Sequence, residues 1–261
     1  MVKYSVVTIN IGSYEIVHEI EDKSVNAEYI LITDDPNLTS RTWDIKLIKN
    51  KHPEDNFYTV FYIRYHIFDY INTDIAVVID GSIGIKKNFD HVINTMVEQN
   101  KDCCLFLHNY NITLEHEYET WGLLRNYSTE QINKIKELVG DYWYYEYQGL
   151  YVKTISIIRN TKDIEKWNQL TFEYCQMLAY GESKVDRLDQ TIWSYILNKY
   201  FADVIHPLCF PFEIINGEDP YFIWYNHGSN ERITSDISDE IKDTFDYYVF
   251  NRKAELCKLL D

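Results

Sequence analysis

The chain has 261 residues, of which 41 are acidic and 25 are basic, and its formal net charge is -16 at pH 7. This charge argues against a nucleic-acid partner, because polynucleotide binding depends on Lys and Arg side chains that neutralise phosphates. A small phosphate ligand would need a metal ion, a helix N-terminus or a local group of Lys and Arg to offset the repulsion.

The composition favours one domain over residues 1–261. The chain has only 9 Gly and 5 Pro, and it contains no linker, internal repeat or low-complexity tract. Its five Cys show no C-x-x-C spacing, which predicts reduced thiols and a cytoplasmic protein. No apolar run approaches the length of a transmembrane segment.

The N-terminal part of the chain alternates predicted strands with a helix. Apolar, β-branched runs predict strands at 2–11, 29–33 and 43–49. The first strand ends on Gly12 and Ser13, and the second ends on Asp34 and Asp35. Residues 57–70 then carry apolar side chains at helical spacing, with Arg64 in the middle.

The most hydrophobic predicted strand spans residues 75–79 and stops on Asp80, Gly81 and Ser82. An unbroken β-branched run of this kind is typical of a strand that is covered on both faces. Ligands of open α/β sheets bind at the carboxyl ends of the strands, which makes Asp80 the first candidate for chemistry.

The second part of the chain continues the alternation. A helix with Asn88 as N-cap precedes a strand at 103–107, and the capping box Ser128-x-x-Gln131 opens a helix that Gly140 closes. Further strands are predicted at 151–158 and 203–210, and further helices at 164–180, after Asp186 and from Ser238, with a loop around residues 224–228. This order predicts an α/β sandwich with a mainly parallel sheet.

Several of these motifs together resemble a known family. Arg64, the strand that ends in Ile79-Asp80-Gly81, the Phe106-Leu107-His108 strand end, the stretch from Gly149 to Arg159 and the Arg187-to-Gln190 helix start occur in a consistent order across residues 2–201. Their pattern is similar to that of GT-A fold glycosyltransferases. It most resembles the TOD/MUCI glycosyltransferase-like family, which is related in pattern to glycosyltransferase family 8.

The resemblance implies a GT-A, Rossmann-like three-layer sandwich and a metal site of the Asp-x-Asp type. In such enzymes two carboxylates hold Mn²⁺ or Mg²⁺ against the donor diphosphate, since hard cations prefer oxygen ligands. Asp80 takes the first position here and Ser82 takes the third, where a second carboxylate is expected. Ser82 would then contact the ribose or reach the metal through water. His227 resembles the late His that completes such a site, although a loop His is also a common surface residue.

The resemblance also implies a donor half at about 1–100 and an acceptor half with C-terminal helices at about 101–261. Donor contacts are expected from Ile9, Asn10, Asp34, Asp35, Arg64, Asp80, Gly81 and Ser82, and reactive-sugar contacts from Asp189 and Gln190 at a helix start. Asp34 and Asp35 have an alternative role in an Asx-turn before Pro36. Arg64 would pair with donor phosphate or with Asp80, or simply extend to solvent. The acceptor side is expected to include His108, Glu117 and Trp121.

The resulting expectation is an enzyme that transfers a sugar from a nucleoside diphosphate, such as a UDP-sugar, to a glycan hydroxyl. Retention of configuration would follow from the likeness to family 8, whereas an inverting enzyme would need Asp189 or Glu117 as general base to the acceptor hydroxyl. Two alternatives remain. A sugar nucleotidyltransferase would be expected to have a Gly-rich, basic loop after the first strand, where only Gly12 is present. An inactive nucleotide- or glycan-binding protein would account for Ser82.

Overall fold

The computed structural model describes residues 2–107, 113–115, 118, 127–144, 150–180, 189–211 and 221–224. The strands are β1 (Tyr4–Asn10), β2 (Ala27–Thr33), β3 (Asp44–Leu47), β4 (Ile75–Ile79), β5 (Ile83–Ile85), β6 (Cys103–Leu107), β7 (Tyr151–Arg159), β8 (Pro207–Pro211) and β9 (Phe222–Trp224). The helices are α1 (Asn56–Tyr65), α2 (Asp90–Glu98), α3 (Thr129–Val139), α4 (Lys162–Tyr180) and α5 (Asp189–Ile196).

Seven strands form one sheet in the order β3-β2-β1-β4-β7-β6-β8. The strands from β3 to β4 run parallel to one another, β7 is antiparallel to both of its neighbours, and β8 is parallel to β6. The predicted α/β architecture with a mainly parallel sheet is therefore confirmed, and it is compatible with a Rossmann-like fold. Because β1 to β4 are parallel, their carboxyl ends meet at one edge of the sheet.

The central strands β1 and β4 are buried on both faces of the sheet. Every residue of β1 and β4 is buried, and alternate side chains enter two separate hydrophobic clusters. Val7 and Val78 pack on the face covered by α1, α4 and α5, whereas Val6 and Val77 pack on the face covered by α2. This burial explains why β4 is an unbroken apolar run rather than an alternating one.

Three predicted boundaries need correction. The helix predicted at 57–70 ends at Tyr65 and is followed by a separate 3-10 turn, Ile67–Asp69. The N-cap of α2 is Phe89 rather than Asn88, because the Asn88 side chain instead donates to Asp22 over 2.7 Å and accepts from the N–H of Asp90. The strand predicted at 203–210 is limited to β8.

Other local signals hold. The capping box of α3 joins Ser128 and Gln131 in both directions, and Gly140 closes the helix with a φ of 59°.

Residue 224 was expected in a loop, but it ends β9, which pairs antiparallel with β5. The helix from Ser238 lies outside the described residues. None of the described helices is long and apolar enough to cross a membrane.

Glu19 ties together the loops that flank β2. Its carboxylate accepts hydrogen bonds from the Ser40 and Thr42 hydroxyls and from the Arg41 and Thr42 N–H groups. Partial burial raises the pKa of Glu19, but these hydrogen bonds outweigh burial and lower it to about 2. The ionised carboxylate is therefore more stable in the folded protein than in the unfolded chain.

This shift predicts a specific acid sensitivity. The contribution of Glu19 to stability is fully present above its unfolded pKa of about 4.3 and is lost as the pH falls from there towards 2. Glu19→Gln should therefore be less stable than the wild type at about pH 7, and the two should converge as the pH falls towards 2. Urea denaturation across this range measures the difference, and a gap that does not change with pH would contradict the assignment.

Candidate functional site

A cleft of about 420 Å³ opens at the carboxyl edge of the parallel strands. It is bounded by the ends of β1 and β4, by α1 and by the first residue of α5. The lining residues are Ile9, Asn10, Ile11, Gly12, Tyr14, Glu15, Asn56, Phe57, Val60, Phe61, Arg64, Ile79, Asp80, Gly81 and Asp189. The volume is within the range of small-molecule sites in proteins.

Arg64 joins three elements at the base of this cleft. It lies in the last turn of α1 and is 8% exposed. Its guanidinium donates to Asp80 Oδ1, to Asp189 Oδ2 over 3.5 Å and to the Lys153 carbonyl over 3.0 Å. Burial alone would lower the pKa of Arg64, but Asp80 and Asp189 outweigh burial and raise it. The guanidinium is therefore a fixed positive charge between two carboxylates.

Asp80 and Asp189 both face the cleft, and their side chains are 31% and 16% exposed. Asp189 is the first residue of α5, and an acidic side chain at this end of a helix is favoured by the helix dipole. The sequence predicted Asp189 in the first turn of a helix capped by Asp186, which lies outside the described residues. Gln190 has a different role. Its side-chain oxygen accepts from the Lys153 N–H over 3.1 Å, which fixes the start of α5 to β7. Of the expected pair, Asp189 therefore lines the cleft, whereas Gln190 bonds to the sheet.

Lys153 is a buried lysine behind the cleft that the sequence interpretation missed. It is 4% exposed, and its Nζ lies 3.7 Å from the centroid of the Trp193 ring and 4.8 Å from that of Tyr65. Burial, and then the charge of Arg64, hold the pKa of Lys153 well below its ordinary value. Its position inside a mainly apolar strand is a signal in the sequence that could have identified it.

The two aspartates after β2 hold a loop. Asp34 accepts from the N–H of Gly12 over 2.8 Å, and Asp35 accepts from the Ser13 hydroxyl over 3.0 Å. Asp35 also accepts from the N–H of Asn37, which is the Asx-turn named as the alternative. Neither carboxylate lines the cleft. They fix a turn in which Gly12 and Ser13 both have a positive φ.

Some of the other expected donor residues line the cleft, and one does not. Ile9, Asn10 and Gly81 line the cleft, whereas Ser82 does not. Ser82 is 1% exposed, and its hydroxyl has no hydrogen-bond partner among the described residues. Glu15 lines the cleft although the sequence interpretation did not single it out. Its place in the loop after β1, at the edge where Asp80 lies, was the available signal.

Four expected site residues, His108, Glu117, Trp121 and His227, lie outside the described residues. Within the described part of the chain, no three His, Cys, Asp or Glu side chains are grouped as a metal ion would require. Ligands supplied by a bound phosphate, or by a residue such as His227, would therefore have to complete any metal site at Asp80.

Comparison with known proteins adds no identification. No protein-family model matches the chain, and no curated protein is significantly similar to it in sequence.

The Arg64 contacts predict that this buried arginine contributes more to stability than an exposed arginine does. Arg64→Met should lower the free energy of unfolding by about 3 kcal/mol, because it leaves Asp80 and Asp189 without their partner. Arg41→Met is the matched control. Arg41 is 88% exposed and 3.9 Å from Glu19, so its loss should cost at most about 1 kcal/mol.

Urea denaturation of both variants tests this. Adding Asp189→Asn to Arg64→Met should recover part of the lost stability, since it removes one of the unpaired carboxylates. Equal stabilities for the Arg64 and Arg41 variants would show that the cluster does not stabilise the fold.

Lys153 predicts that the stability of the protein depends on pH. Because its folded pKa is lowered, the unfolded chain binds more protons there, and stability rises with pH up to the unfolded pKa of about 10.4. Lys153→Met should lack this contribution. The unfolding free energy of the wild type should therefore gain on that of Lys153→Met between about pH 7 and 10.

The matched control is Lys166→Met, because Lys166 is on α4 and its side chain is 67% exposed. Its difference from the wild type should not change with pH over this range. A constant difference for Lys153→Met as well would show that Lys153 is charged in the folded protein.

Proposed function

We propose that the protein is a GT-A type glycosyltransferase that moves a sugar from a nucleoside diphosphate, such as UDP, to a hydroxyl of a glycan acceptor. The observation that carries the proposal is the cluster of Arg64, Asp80 and Asp189 in a cleft at the carboxyl edge of a mainly parallel sheet. The same three residues were expected in the donor site from the family resemblance. Retention of configuration follows from the resemblance to family 8.

The walls of the cleft suit a nucleotide. Apolar side chains of β1 and α1 provide a surface on which a base or a sugar ring packs: Ile9, Ile11, Phe57, Val60 and Phe61. Polar side chains also enter the cleft from the strand ends, from α1 and from α5, among them Asn10, Asn56 and Asp80. Apolar walls combined with placed polar groups are typical of sites for small organic ligands.

The charge of the cleft favours a divalent cation. Its charged lining residues are three acids, Glu15, Asp80 and Asp189, and one base, Arg64, so carboxylates outnumber cations. A diphosphate would be repelled by this lining unless Mn²⁺ or Mg²⁺ accompanied it. Asp80 would hold the ion, and donor phosphate oxygens and His227 would supply further ligands. When bound, the ion offsets the negative charge that develops on the leaving nucleotide.

The side chains of the protein then have separate tasks. Arg64 fixes the positions of Asp80 and Asp189 by bonding to both, and it would present a fixed positive charge to the anionic donor. Asp189 faces the cleft at the start of α5, where it would accept a hydrogen bond from a sugar hydroxyl and so orient the reacting carbon. Gln190 positions Asp189 through its bond to β7.

Two alternatives make different demands on the site. An inactive nucleotide- or glycan-binding protein is favoured by Ser82, which replaces an expected carboxylate and is buried. A sugar nucleotidyltransferase is not favoured, because the loop after β1 from Gly12 to Glu15 contains no Lys or Arg.

Calorimetry with UDP tests the proposal. UDP should bind in the presence of Mn²⁺ and at least about tenfold more weakly without it, a difference of about 1.4 kcal/mol. Asp80→Asn should abolish this metal dependence. Asp74→Asn should keep it, because Asp74 precedes β4 at the opposite, amino end of the same strand.

Absence of UDP binding under both conditions would exclude the transferase. Binding without hydrolysis or transfer from a panel of UDP-sugars would favour the inactive binding protein. A full metal dependence in Asp80→Asn would remove Asp80 from the site.

A further inference from the structure

Glu15 is held firmly at the edge of the cleft. It lies in the loop after β1, and its backbone forms two hydrogen bonds with the side chain of Asn10. The Asn10 amide donates to the Glu15 carbonyl over 2.8 Å, and the Glu15 N–H donates to the Asn10 side-chain oxygen over 3.1 Å. Asn10 is 3% exposed, so this anchor is part of the buried sheet.

The side chain of Glu15 packs directly on the turn that follows β4. A Cβ atom at Gly81 would lie 2.7 Å from Glu15 Cγ and 2.9 Å from Glu15 Cβ. Only glycine at position 81 leaves room for this contact. Glu15 is therefore adjacent to the residue after Asp80, and both acids line the same cleft.

Ser82 cannot take the part that the sequence pattern suggested for it without moving. Its side chain is buried and is not among the residues that line the cleft. The second acid of an Asp-x-Asp motif would face the ligand together with the first. In this protein the side chain that accompanies Asp80 in the cleft comes from the β1 loop instead.

A second, independent feature points to a ligand beside Glu15. A chamber of about 10 Å³, which is enough for one water molecule, is lined by Thr8, Asn10, Glu15, His18 and Gly81 among others. The Thr8 hydroxyl is buried and has no hydrogen-bond partner among the described residues. A buried hydroxyl without a partner is costly, so a polar ligand in this chamber would be stabilised.

We propose that Glu15 is the second carboxylate of a divalent-cation site whose first carboxylate is Asp80. The inference rests on the proposed function, because the cation is the one that would accompany a nucleoside diphosphate. Carboxylate oxygens from two separate loops suit Mn²⁺ or Mg²⁺, which bind through one or two carboxylates and complete their shell with water and phosphate. A water molecule in the chamber would satisfy the Thr8 hydroxyl.

This arrangement explains three features together. It gives a reason for glycine at position 81, for the two hydrogen bonds between Asn10 and the backbone of Glu15, and for the excess of carboxylates in the cleft. It also removes the need for a second acid at position 82.

Titration of the full-length protein with Mn²⁺, followed by the electron paramagnetic resonance signal of the free ion, tests the proposal with and without UDP. Glu15→Gln should weaken Mn²⁺ binding by at least about tenfold. Gly81→Ala should also weaken it, because the added methyl displaces Glu15. Circular dichroism of each variant checks that it is folded.

Two variants serve as controls. Ser82→Ala should change Mn²⁺ affinity by less than about twofold. Glu28→Gln should have equally little effect, because Glu28 is exposed near the start of β2, at the amino edge of the sheet.

The variants distinguish the two possible second ligands. Mn²⁺ affinity that depends on Ser82 and not on Glu15 would overturn the proposal, and so would an unchanged affinity in Glu15→Gln. Failure of the wild type to bind Mn²⁺, alone or with UDP, would overturn it as well. The proposed transferase is judged separately, because UDP binding without metal would leave that proposal standing while this one fails.

Discussion

The buried guanidinium of Arg64 is the interaction on which the candidate site depends. One side chain bonds to Asp80 after β4, to Asp189 at the start of α5 and to the backbone of β7. Removing a cation from water is costly, and the cost is offset here because two carboxylates and a carbonyl surround it. The same contacts that stabilise the packing of α1 on the sheet therefore set the positions of both acids in the cleft.

Charge is distributed unevenly around this cluster. Lys153 lies behind it, covered by Trp193 and Tyr65, and its pKa is lowered by burial and by Arg64. The front of the cluster is acidic, because Glu15 joins Asp80 and Asp189 at the cleft. An anionic ligand would meet this acidic surface first. For that reason a divalent cation and an oxygen-rich ligand form a more favourable combination here than a diphosphate alone.

The loop after β1 gives the cleft its second wall. Asp34 and Asp35 hold Gly12 and Ser13 in a tight turn, and Asn10 then fixes the backbone of Glu15. These contacts fix the backbone of the loop at Glu15. A binding site that uses a loop side chain requires such support. Asp34 and Asp35, which the sequence suggested as nucleotide contacts, thus hold the loop that carries Glu15.

The sequence alone determined the central strand and the Asp80 that follows it, the helix that carries Arg64, and the helix that has Asp189 in its first turn. Each depends on local features: a β-branched run, helical spacing of apolar residues, or the preference for acids at a helix N-terminus. The tertiary structure decided the rest. The antiparallel direction of β7, the burial of Ser82, the loop-holding role of Asp34 and the entry of Glu15 beside Gly81 arise from contacts between distant segments. Arg64 and Asp189 are separated by 125 positions in the chain. Periodicity reports which face of an element is buried, whereas the partner across that face is set by how the elements pack.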